Sequence, residues 1–281
     1  MAEPRILLTG LAIGESPRWH DGRLWFSNWG TQQIVAVDVD GDSEVMARVP
    51  TSVPFCIDWL PDGRLLVVSG PEALLLRQES DGSFVPHADL GRVARGWNEI
   101  VVDGRGNAYV NGSDFDFHGG GPFIPGVIAL VTPDGAVRQV ADGIEFGNGM
   151  AVTPDNTTLI VAESFASRLS AFDIAPDGSL SHRRLWASLE SPPDGICLDA
   201  EGAVWAAAMG RCMRVREGGN VLQSIESDRS CFACMLGGPD GKTLFVMAAE
   251  WRGVEGFGAL LQARTGRVLI APAPAPHAGW P

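Results

Sequence analysis

A sequence pattern recurs six times along this 281-residue chain and leaves few folds open to it. Each copy consists of a short apolar segment, a turn rich in Asp and Gly, and a second apolar segment. The copies begin at Glu15, Phe55, Asn98, Asn148, Asp194 and Cys231. Asp-Gly and Pro-Asp-Gly favour tight turns, because Gly accepts a positive φ and Pro has a fixed φ. Each copy therefore predicts a β-hairpin.

A second hairpin follows the first in several copies, as in residues 34–45 and 169–180. Two hairpins supply the four strands of one propeller blade, and repeats of roughly 40–50 residues are typical of blades. No segment shows sustained helical periodicity, so we expect few and short helices. The chain is predicted to be an all-β, six-bladed β-propeller with four-stranded antiparallel blades, in a single domain over residues 1–281.

The two ends of the chain bear on how the ring of blades closes. Residues 5–9 and residues 267–271 both have the apolar character of a strand, and either segment can complete the last blade. The Pro-rich tail at residues 271–281 is expected to extend beyond the strands, because Pro cannot donate to a ladder.

Composition narrows the classes of partner. Apolar residues make up 45% of the chain and charged residues 20%, which predicts a packed globule, and the formal net charge of −13 argues against a nucleic-acid partner. The N-terminal segment lacks the hydrophobic region of a signal peptide, and no apolar run is long enough to form a transmembrane helix. We therefore expect a soluble, cytoplasmic protein without a membrane partner.

Five cysteines without disulfide spacing are expected to be buried, reduced thiols.

Polar residues occupy positions that should reach the central channel. The innermost strand of each blade runs beside the axis, so the first residues of these strands converge at one end of the channel. Glu15, Asn98, Asn148 and Asp194 stand at these positions, where an ordinary β core would be apolar. Burying uncompensated carboxylates is costly, and a divalent cation would offset that cost.

Three of these residues, Glu15, Asn148 and Asp194, stand beside Gly or Pro, where the backbone can approach closely. They are predicted to hold one divalent metal ion. Oxygen ligands suit Ca²⁺ first, with Mg²⁺, Mn²⁺, Fe²⁺ and Zn²⁺ as alternatives. The competing interpretation is that Asn-Gly and Asp-Gly simply form turns, as they do in isolation.

Four motifs carry a wider resemblance. They are Gly14-Glu-Ser-Pro-x-Trp, Asn148-Gly-Met-Ala-x-x-Pro-Asp, Pro193-Asp-Gly-Ile-Cys-Leu-Asp-Ala-Glu-Gly-x-Val-Trp and the terminal Ala278-Gly-Trp-Pro. Together they resemble the SMP-30/gluconolactonase/luciferin-regenerating-enzyme family. The resemblance implies a six-bladed propeller with one divalent metal on Glu15, Asn148 and Asp194, and hydrolysis of sugar lactones. It also implies that Asn98 contacts the substrate or water at the metal.

On this resemblance the metal would polarise the lactone carbonyl and activate water, while a carboxylate takes the proton. We expect Asp194 to be that base, with Glu99 as the second candidate. Sugar lactonases of the family tend to carry an Arg two residues before the matching Asn and an Asp just after it. This chain has Gly96 and Glu99 at these two positions. The Arg that would bind a sugar is therefore missing, unless Arg95 takes over its role.

Aromatic residues are frequent near the expected channel mouth instead. Residues 114–124 combine glycines with aromatic residues, which predicts a mobile lid with an apolar wall. The candidate substrate-binding residues are Phe55, Trp97, Asn98, Phe115, His118, Phe123 and Phe165. Such a pocket would suit an alkyl or aryl lactone or ester. The alternative is that these aromatic side chains pack between blades.

The sequence therefore predicts a metal-dependent hydrolase that opens a small-molecule lactone or related ester. Two alternatives stay open: a non-hydrolytic, metal-dependent propeller enzyme acting on a hydrophobic substrate, and a non-catalytic calcium-binding propeller, because fold does not fix function. The sequence carries none of the short motifs of serine hydrolases, P-loop NTPases or dinucleotide-binding enzymes.

Overall fold

Six four-stranded antiparallel sheets are arranged around a central channel in the computed structural model, which describes residues 3–116 and 121–281. Each sheet is one blade, and blades 1 to 5 each use four strands that follow one another along the chain. The prediction of an all-β, six-bladed propeller is confirmed.

In each blade the innermost strand runs beside the channel, and the other three strands follow it outward. Blade 1 contains, in this order, β2 (Gly14–His20), β3 (Arg23–Asn28), β4 (Gln33–Val37) and β5 (Ser43–Arg48). Blade 2 contains β6 (Phe55–Trp59), β7 (Leu65–Ser69), β8 (Leu74–Gln78) and β9 (Phe84–Asp89). Blade 3 contains β10 (Gly96–Val102), β11 (Ala108–Ser113), β12 (Gly126–Val131) and β13 (Val137–Ile144).

The second half of the ring repeats this order. Blade 4 contains β14 (Gly147–Val152), β15 (Thr158–Glu163), β16 (Arg168–Ile174) and β17 (Leu180–Ser188). Blade 5 contains β18 (Ile196–Leu198), β19 (Val204–Ala208), β20 (Arg211–Val215) and β21 (Val221–Glu226). Blade 6 contains β22 (Ser230–Gly237), β23 (Thr243–Ala249), β24 (Gly266–Pro272) and β1 (Arg5–Leu11).

Helices are short, as the absence of helical periodicity predicts. The described residues contain 3₁₀ turns at Trp29–Thr31, Ser164–Ala166 and Val254–Gly256, and the helix α1 at Phe257–Leu260. No helix in the described part of the chain combines the length and the apolar character that a bilayer crossing requires.

The turn between the first and second strand of each blade fixes the hairpin register. Every one of these six turns contains a residue with a positive φ, which Gly adopts without steric cost and Asn tolerates. The residues are Gly22, Gly63, Gly106, Asn156, Gly202 and Gly241. The turn signals in the sequence therefore mark the end of the channel opposite to the first residues of the inner strands.

Ring closure uses both terminal segments rather than one of them. In blade 6, β24 is the third strand and β1 is the fourth, and the two pair in antiparallel register from Arg5 opposite Ile270 to Leu11 opposite Gly266. The N-terminal strand thus joins a sheet built from the C-terminal part of the chain and covers the outer edge of β24.

The C-terminal tail crosses the turn end of the channel. Val152 N–H donates to the Trp280 carbonyl (2.8 Å), and Ala278 N–H donates to the Leu198 carbonyl (3.0 Å). Val152 and Leu198 end the inner strands of blades 4 and 5. The predicted extension over residues 271–281 is too long at its start, because Ala271 and Pro272 still belong to β24. Beyond β24 the tail makes these bridges through Ala278 and Trp280.

The core lies between blades, where the faces of neighbouring sheets meet. One cluster joins Tyr109 and Ile128 of blade 3 to Met150, Val161 and Phe172 of blade 4. The phenol of Tyr109 also donates to the carbonyl of Gly178 in blade 4 (3.0 Å). Burial of apolar area between sheets therefore positions adjacent blades, and with them the inner strands.

A buried carboxylate links three strands of blade 4 through hydrogen bonds. The Glu163 side chain is fully buried at the end of β15, and it accepts hydrogen bonds from Arg168 on β16 (3.0 Å) and Arg183 on β17 (2.7 Å). The Glu145 backbone N–H also donates to it (2.7 Å). Although burial alone would raise the pKa of Glu163, these hydrogen bonds hold it at about 2.

We predict that Glu163→Gln lowers the free energy of unfolding by about 3 kcal/mol at pH 7, because the substitution removes the stabilisation implied by a pKa near 2 in place of the ordinary 4.5. A group with a depressed folded-state pKa stabilises fully above its unfolded value and loses that contribution as pH falls through the folded value. The difference between wild type and variant should therefore shrink to roughly half at pH 3. Urea unfolding at both pH values measures it.

Glu145→Gln is the matched control, because Glu145 is 45% exposed and lies 3.6 Å from the same Arg168. It should cost less than about 1 kcal/mol, as exposed ion pairs usually do. Equal losses in the two variants, or a loss in Glu163→Gln that does not change with pH, would contradict the assignment.

Candidate functional site

A cavity of about 780 Å³ opens at the end of the channel where the inner strands begin. It is lined by residues from all six blades and from the segment around α1. Glu15, Asn98, Asn148 and Asp194 all line it, and they come from blades 1, 3, 4 and 5. The predicted convergence of these four polar residues is therefore seen in the structure.

Close packing of inner strands brings Asn148 and Asp194 together. Gly149 N–H donates to the Asp194 carbonyl (3.2 Å), and a Cβ on Gly149 would lie 2.4 Å from the Ile196 nitrogen. A Cβ on Gly195 would likewise lie 2.7 Å from Ala233 Cα in blade 6. Only Gly allows so close an approach of neighbouring backbones at these two positions.

The interpretation of these dipeptides as turns does not hold. Neither Gly149 nor Gly195 has a positive φ, and Gly149 lies within β14. Asp194 N–H donates to the Ala207 carbonyl (2.8 Å), so backbone pairing with β19 continues past the start of β18. The glycines thus serve close packing between blades, and the polar residues before them face the cavity.

The Asn148 side chain is held in place by its neighbours. Its amide nitrogen donates to Ser164 Oγ (3.4 Å), and Ser164 Oγ donates to the Pro193 carbonyl (2.7 Å). The Asn148 amide also hydrogen-bonds the Asp194 carboxylate and lowers its pKa somewhat. Because the amide nitrogen makes these contacts, the side-chain oxygen is the atom through which Asn148 would bind a cation.

Burial and like charge make the carboxylates of this site unfavourable without a counter-ion. Burial raises the pKa of Glu15 well above its ordinary value, and the nearby charges of Asp194 and Glu99 raise it further. Burial and the Glu99 charge also raise the pKa of Asp194. This is the arrangement expected of a site that binds a positive ion.

The donor set fits a hard divalent cation. Two carboxylates and one amide supply only oxygen, the ligand that Ca²⁺ prefers. In the part of the chain that the structure describes, no three His, Cys, Asp or Glu side chains are grouped in a way that would hold a metal. A site here therefore depends on the Asn148 amide as its third ligand.

Glu99 lies in a buried ionic network next to the cavity and is not among the described residues that line it. Its Oε1 accepts hydrogen bonds from Ser16 Oγ (2.9 Å), Arg18 Nη2 (3.3 Å) and the Ile100 N–H (2.9 Å). Arg18 also lies 3.6 Å from Asp58. Burial raises the pKa of Glu99, and the Arg18 charge opposes that effect.

The predicted aromatic residues are divided between the cavity and the core. Trp97, Phe115 and Phe165 line the cavity. Phe123 packs against Phe115 and Phe165, with ring centroids 5.3 and 5.1 Å apart. Phe55 is fully buried, and its carbonyl accepts a hydrogen bond from the Trp29 indole (2.7 Å). His118 lies outside the described residues.

Several lining residues were not anticipated from the sequence. They are Trp29, Phe146, Phe232, Trp251 and Phe257 among the aromatic residues, and Met209 and Ser164 besides. Most lie in connections between strands, where no repeat register locates them. Phe232 alone had a sequence signal, because it follows Cys231 at the start of the sixth inner strand.

Arg95 does not replace the missing arginine of the sugar lactonases. Its side chain is 80% exposed, and its Nε lies 3.4 Å from Asp114. It is not among the described residues that line the cavity, whereas Gly96 is. The position at which the family resemblance places a sugar-binding Arg is therefore a cavity-lining Gly in this chain, and a Cβ there would lie 3.0 Å from the Ser113 carbonyl oxygen.

We predict that Asp194→Asn stabilises the metal-free protein and abolishes its stabilisation by added Ca²⁺. The substitution removes a buried charge that Glu15 and Glu99 repel, and it also removes a ligand. In chelator, the melting temperature should rise by about 2 °C or more. Thermal unfolding with EDTA and then with excess CaCl₂ measures both effects.

Glu217→Gln removes the same charge from an exposed side chain outside the cavity. It should change neither the melting temperature in EDTA nor the stabilisation by added Ca²⁺. A wild-type response to Ca²⁺ in Asp194→Asn would contradict the assigned ligand set.

Comparison with known proteins identifies the family of this chain. The profile of the SMP-30/Gluconolactonase/LRE-like region matches residues 13–250. Regucalcin of Xenopus laevis is 25% identical over 252 residues, covering 84% of this chain and 83% of that protein. Two solved structures share the fold. One is a luciferin-regenerating enzyme (TM-score 0.83, 19% identity, 98% of both chains), and the other is a gluconolactonase from Xanthomonas campestris (0.78, 20%, 96% of this chain and 90% of that one). The chain belongs to the SMP-30/Gluconolactonase/LRE-like family.

Proposed function

We propose that this protein is a metal-dependent hydrolase that opens a lactone or a related ester in the channel cavity. The observation that carries the proposal is the convergence of Glu15, Asn148 and Asp194 at one cavity, with two buried carboxylates that lack a compensating cation among the described side chains lining it. The similarity to the gluconolactonase supports the choice of substrate class.

Glu15, Asn148 and Asp194 would hold one divalent cation, with Ca²⁺ as the best match to an all-oxygen donor set. When bound, such a cation polarises a carbonyl and lowers the pKa of a nearby water. The Gly149 and Gly195 contacts between blades keep Asn148 and Asp194 in position for this role.

Asn98 and Asp194 have the roles closest to the substrate in this proposal. Asn98 lines the cavity and is partly exposed, so its amide is placed to hydrogen-bond the substrate or the attacking water. Asp194 takes the proton from that water. The aromatic and aliphatic side chains that line the cavity lower its local polarity, which strengthens each of these polar interactions.

Glu99 acts through its charge rather than by contact with the substrate. Its Oε1 is occupied by Ser16, Arg18 and Ile100, and it is outside the described lining of the cavity. Its negative charge acts on both Glu15 and Asp194. We propose that Glu99 strengthens the negative potential that attracts the cation, with Arg18 holding the carboxylate in place.

The direct test is a lactone panel on metal-stripped protein. Sugar, alkyl and aryl lactones are supplied in turn, and Ca²⁺, Mg²⁺, Mn²⁺, Fe²⁺ and Zn²⁺ are each added back. We expect hydrolysis of at least one lactone to appear only with added metal and to disappear in Asp194→Asn. Cation binding without turnover of any lactone or ester would favour a non-catalytic propeller and end the hydrolase proposal.

We also predict that Asn98→Ala lowers kcat by about 100-fold, the usual cost of removing a hydrogen bond made in the transition state. Binding of the cation should be unchanged, since Asn98 is not one of the assigned ligands. Steady-state kinetics and calorimetric titration of the metal separate the two effects. Loss of cation binding in this variant would instead make Asn98 a ligand.

A further inference from the structure

Two aromatic walls flank the polar residues of the cavity. The first, which we call the phenylalanine wall, consists of Phe115, Phe123, Phe146 and Phe165. Within it, Phe146 and Phe165 stack with ring centroids 4.5 Å apart and planes within 8°. Phe165 is 50% exposed and Phe123 is 37% exposed, so the wall presents ring surface that the described part of the protein does not cover.

The backbone places Phe146 in this wall at a conformational cost. Phe146 has a φ of 60°, in the left-handed region that a bulky side chain rarely adopts. Two backbone hydrogen bonds hold the segment: Ser164 N–H donates to the Phe146 carbonyl (3.0 Å), and Phe165 N–H donates to the Glu145 carbonyl (3.2 Å). Unusual backbone conformations of this kind concentrate at functional sites.

The second wall, which we call the tryptophan wall, consists of Trp29, Phe232, Trp251 and Phe257. Their rings meet edge to face, with centroids 6.0 to 6.4 Å apart. The Trp29 indole is fixed by its hydrogen bond to the Phe55 carbonyl. These residues come from blades 1 and 6 and from α1, whereas the phenylalanine wall belongs to blades 3 and 4.

The charged side chains among the described residues that line the cavity are all acidic. Glu15, Asp116 and Asp194 line it, and none of the described lining residues is Lys, Arg or His. A carboxylate or phosphate on the distal part of a substrate would find no cationic partner among them. Between the two aromatic walls, a polyol would exchange hydrogen bonds to water for contact with aromatic rings, which is unfavourable.

From these observations we propose that the substrate is a neutral lactone or ester whose non-reacting part is aromatic, bound between the phenylalanine and tryptophan walls. This inference rests on the hydrolase function proposed above. Aromatic rings gain from stacked and edge-to-face contacts beyond the area they bury, and about 780 Å³ accommodates a bicyclic molecule. In the reaction, Asp194 takes a proton from the water, the water oxygen bonds to the acyl carbon, the acyl carbon–oxygen bond breaks, and the leaving oxygen receives the proton. A lactone then gives a hydroxy acid, and an ester gives a carboxylic acid and an alcohol or phenol.

Dihydrocoumarin, a neutral aryl lactone, and glucono-1,5-lactone are the probes that test the substrate class. With the most active metal, we expect kcat/KM for dihydrocoumarin to exceed that for gluconolactone by at least about 100-fold. In Phe165→Ser, KM for dihydrocoumarin should rise about tenfold with little change in kcat. Equal or better hydrolysis of gluconolactone would overturn the proposal.

Leu185→Ser is the matched control, because Leu185 is 59% exposed on the outer strand of blade 4, away from the cavity. Binding of chroman, which has the same ring system without an ester, separates this inference from the hydrolase proposal. If no lactone is hydrolysed but chroman binds wild type and Leu185→Ser about tenfold more tightly than Phe165→Ser, the aromatic site stands and the hydrolase fails. If chroman binds all three proteins equally or not at all, the aromatic site is wrong.

Discussion

Like charges are buried together at one end of the propeller channel. Ring closure brings the first residues of the inner strands together, so Glu15 and Asp194 share one low-dielectric region with Glu99 nearby. Such a cluster costs folding free energy unless a cation compensates it. Without a cation, these carboxylates therefore do not stabilise the fold.

Close backbone contacts between adjacent blades and a few side-chain hydrogen bonds position the residues of this cluster. Gly149 and Gly195 let inner strands of adjacent blades approach to distances that any Cβ would prevent. Ser164 links the Asn148 side chain to the Pro193 carbonyl through two hydrogen bonds. Arg18 holds the Glu99 carboxylate in place by a further hydrogen bond. The charged residues are therefore pre-organised by their neighbours, and the two aromatic walls flank them.

The repeats made the architecture and the polar half of the site predictable, because each repeat carries its own turn and hence its own register. Glu15, Asn98, Asn148 and Asp194 follow from that register alone. The meaning of Asn148-Gly149 and Asp194-Gly195 could not be decided from the sequence, because a turn and a close strand contact use the same dipeptides. The distances between blades decide it. Phe146, Trp251 and Phe257 lie in connections that differ from blade to blade, so only the tertiary structure brings them to the cavity.

Anomalous diffraction can locate the cation that we propose on Glu15, Asn148 and Asp194. Crystals grown with MnCl₂ as a substitute for Ca²⁺ and measured at the manganese edge reveal every ordered site by its anomalous signal. We expect a strong peak within about 2.5 Å of one oxygen from each of these three side chains. A map with no peak at this position, from crystals that show bound manganese elsewhere, would contradict the claim.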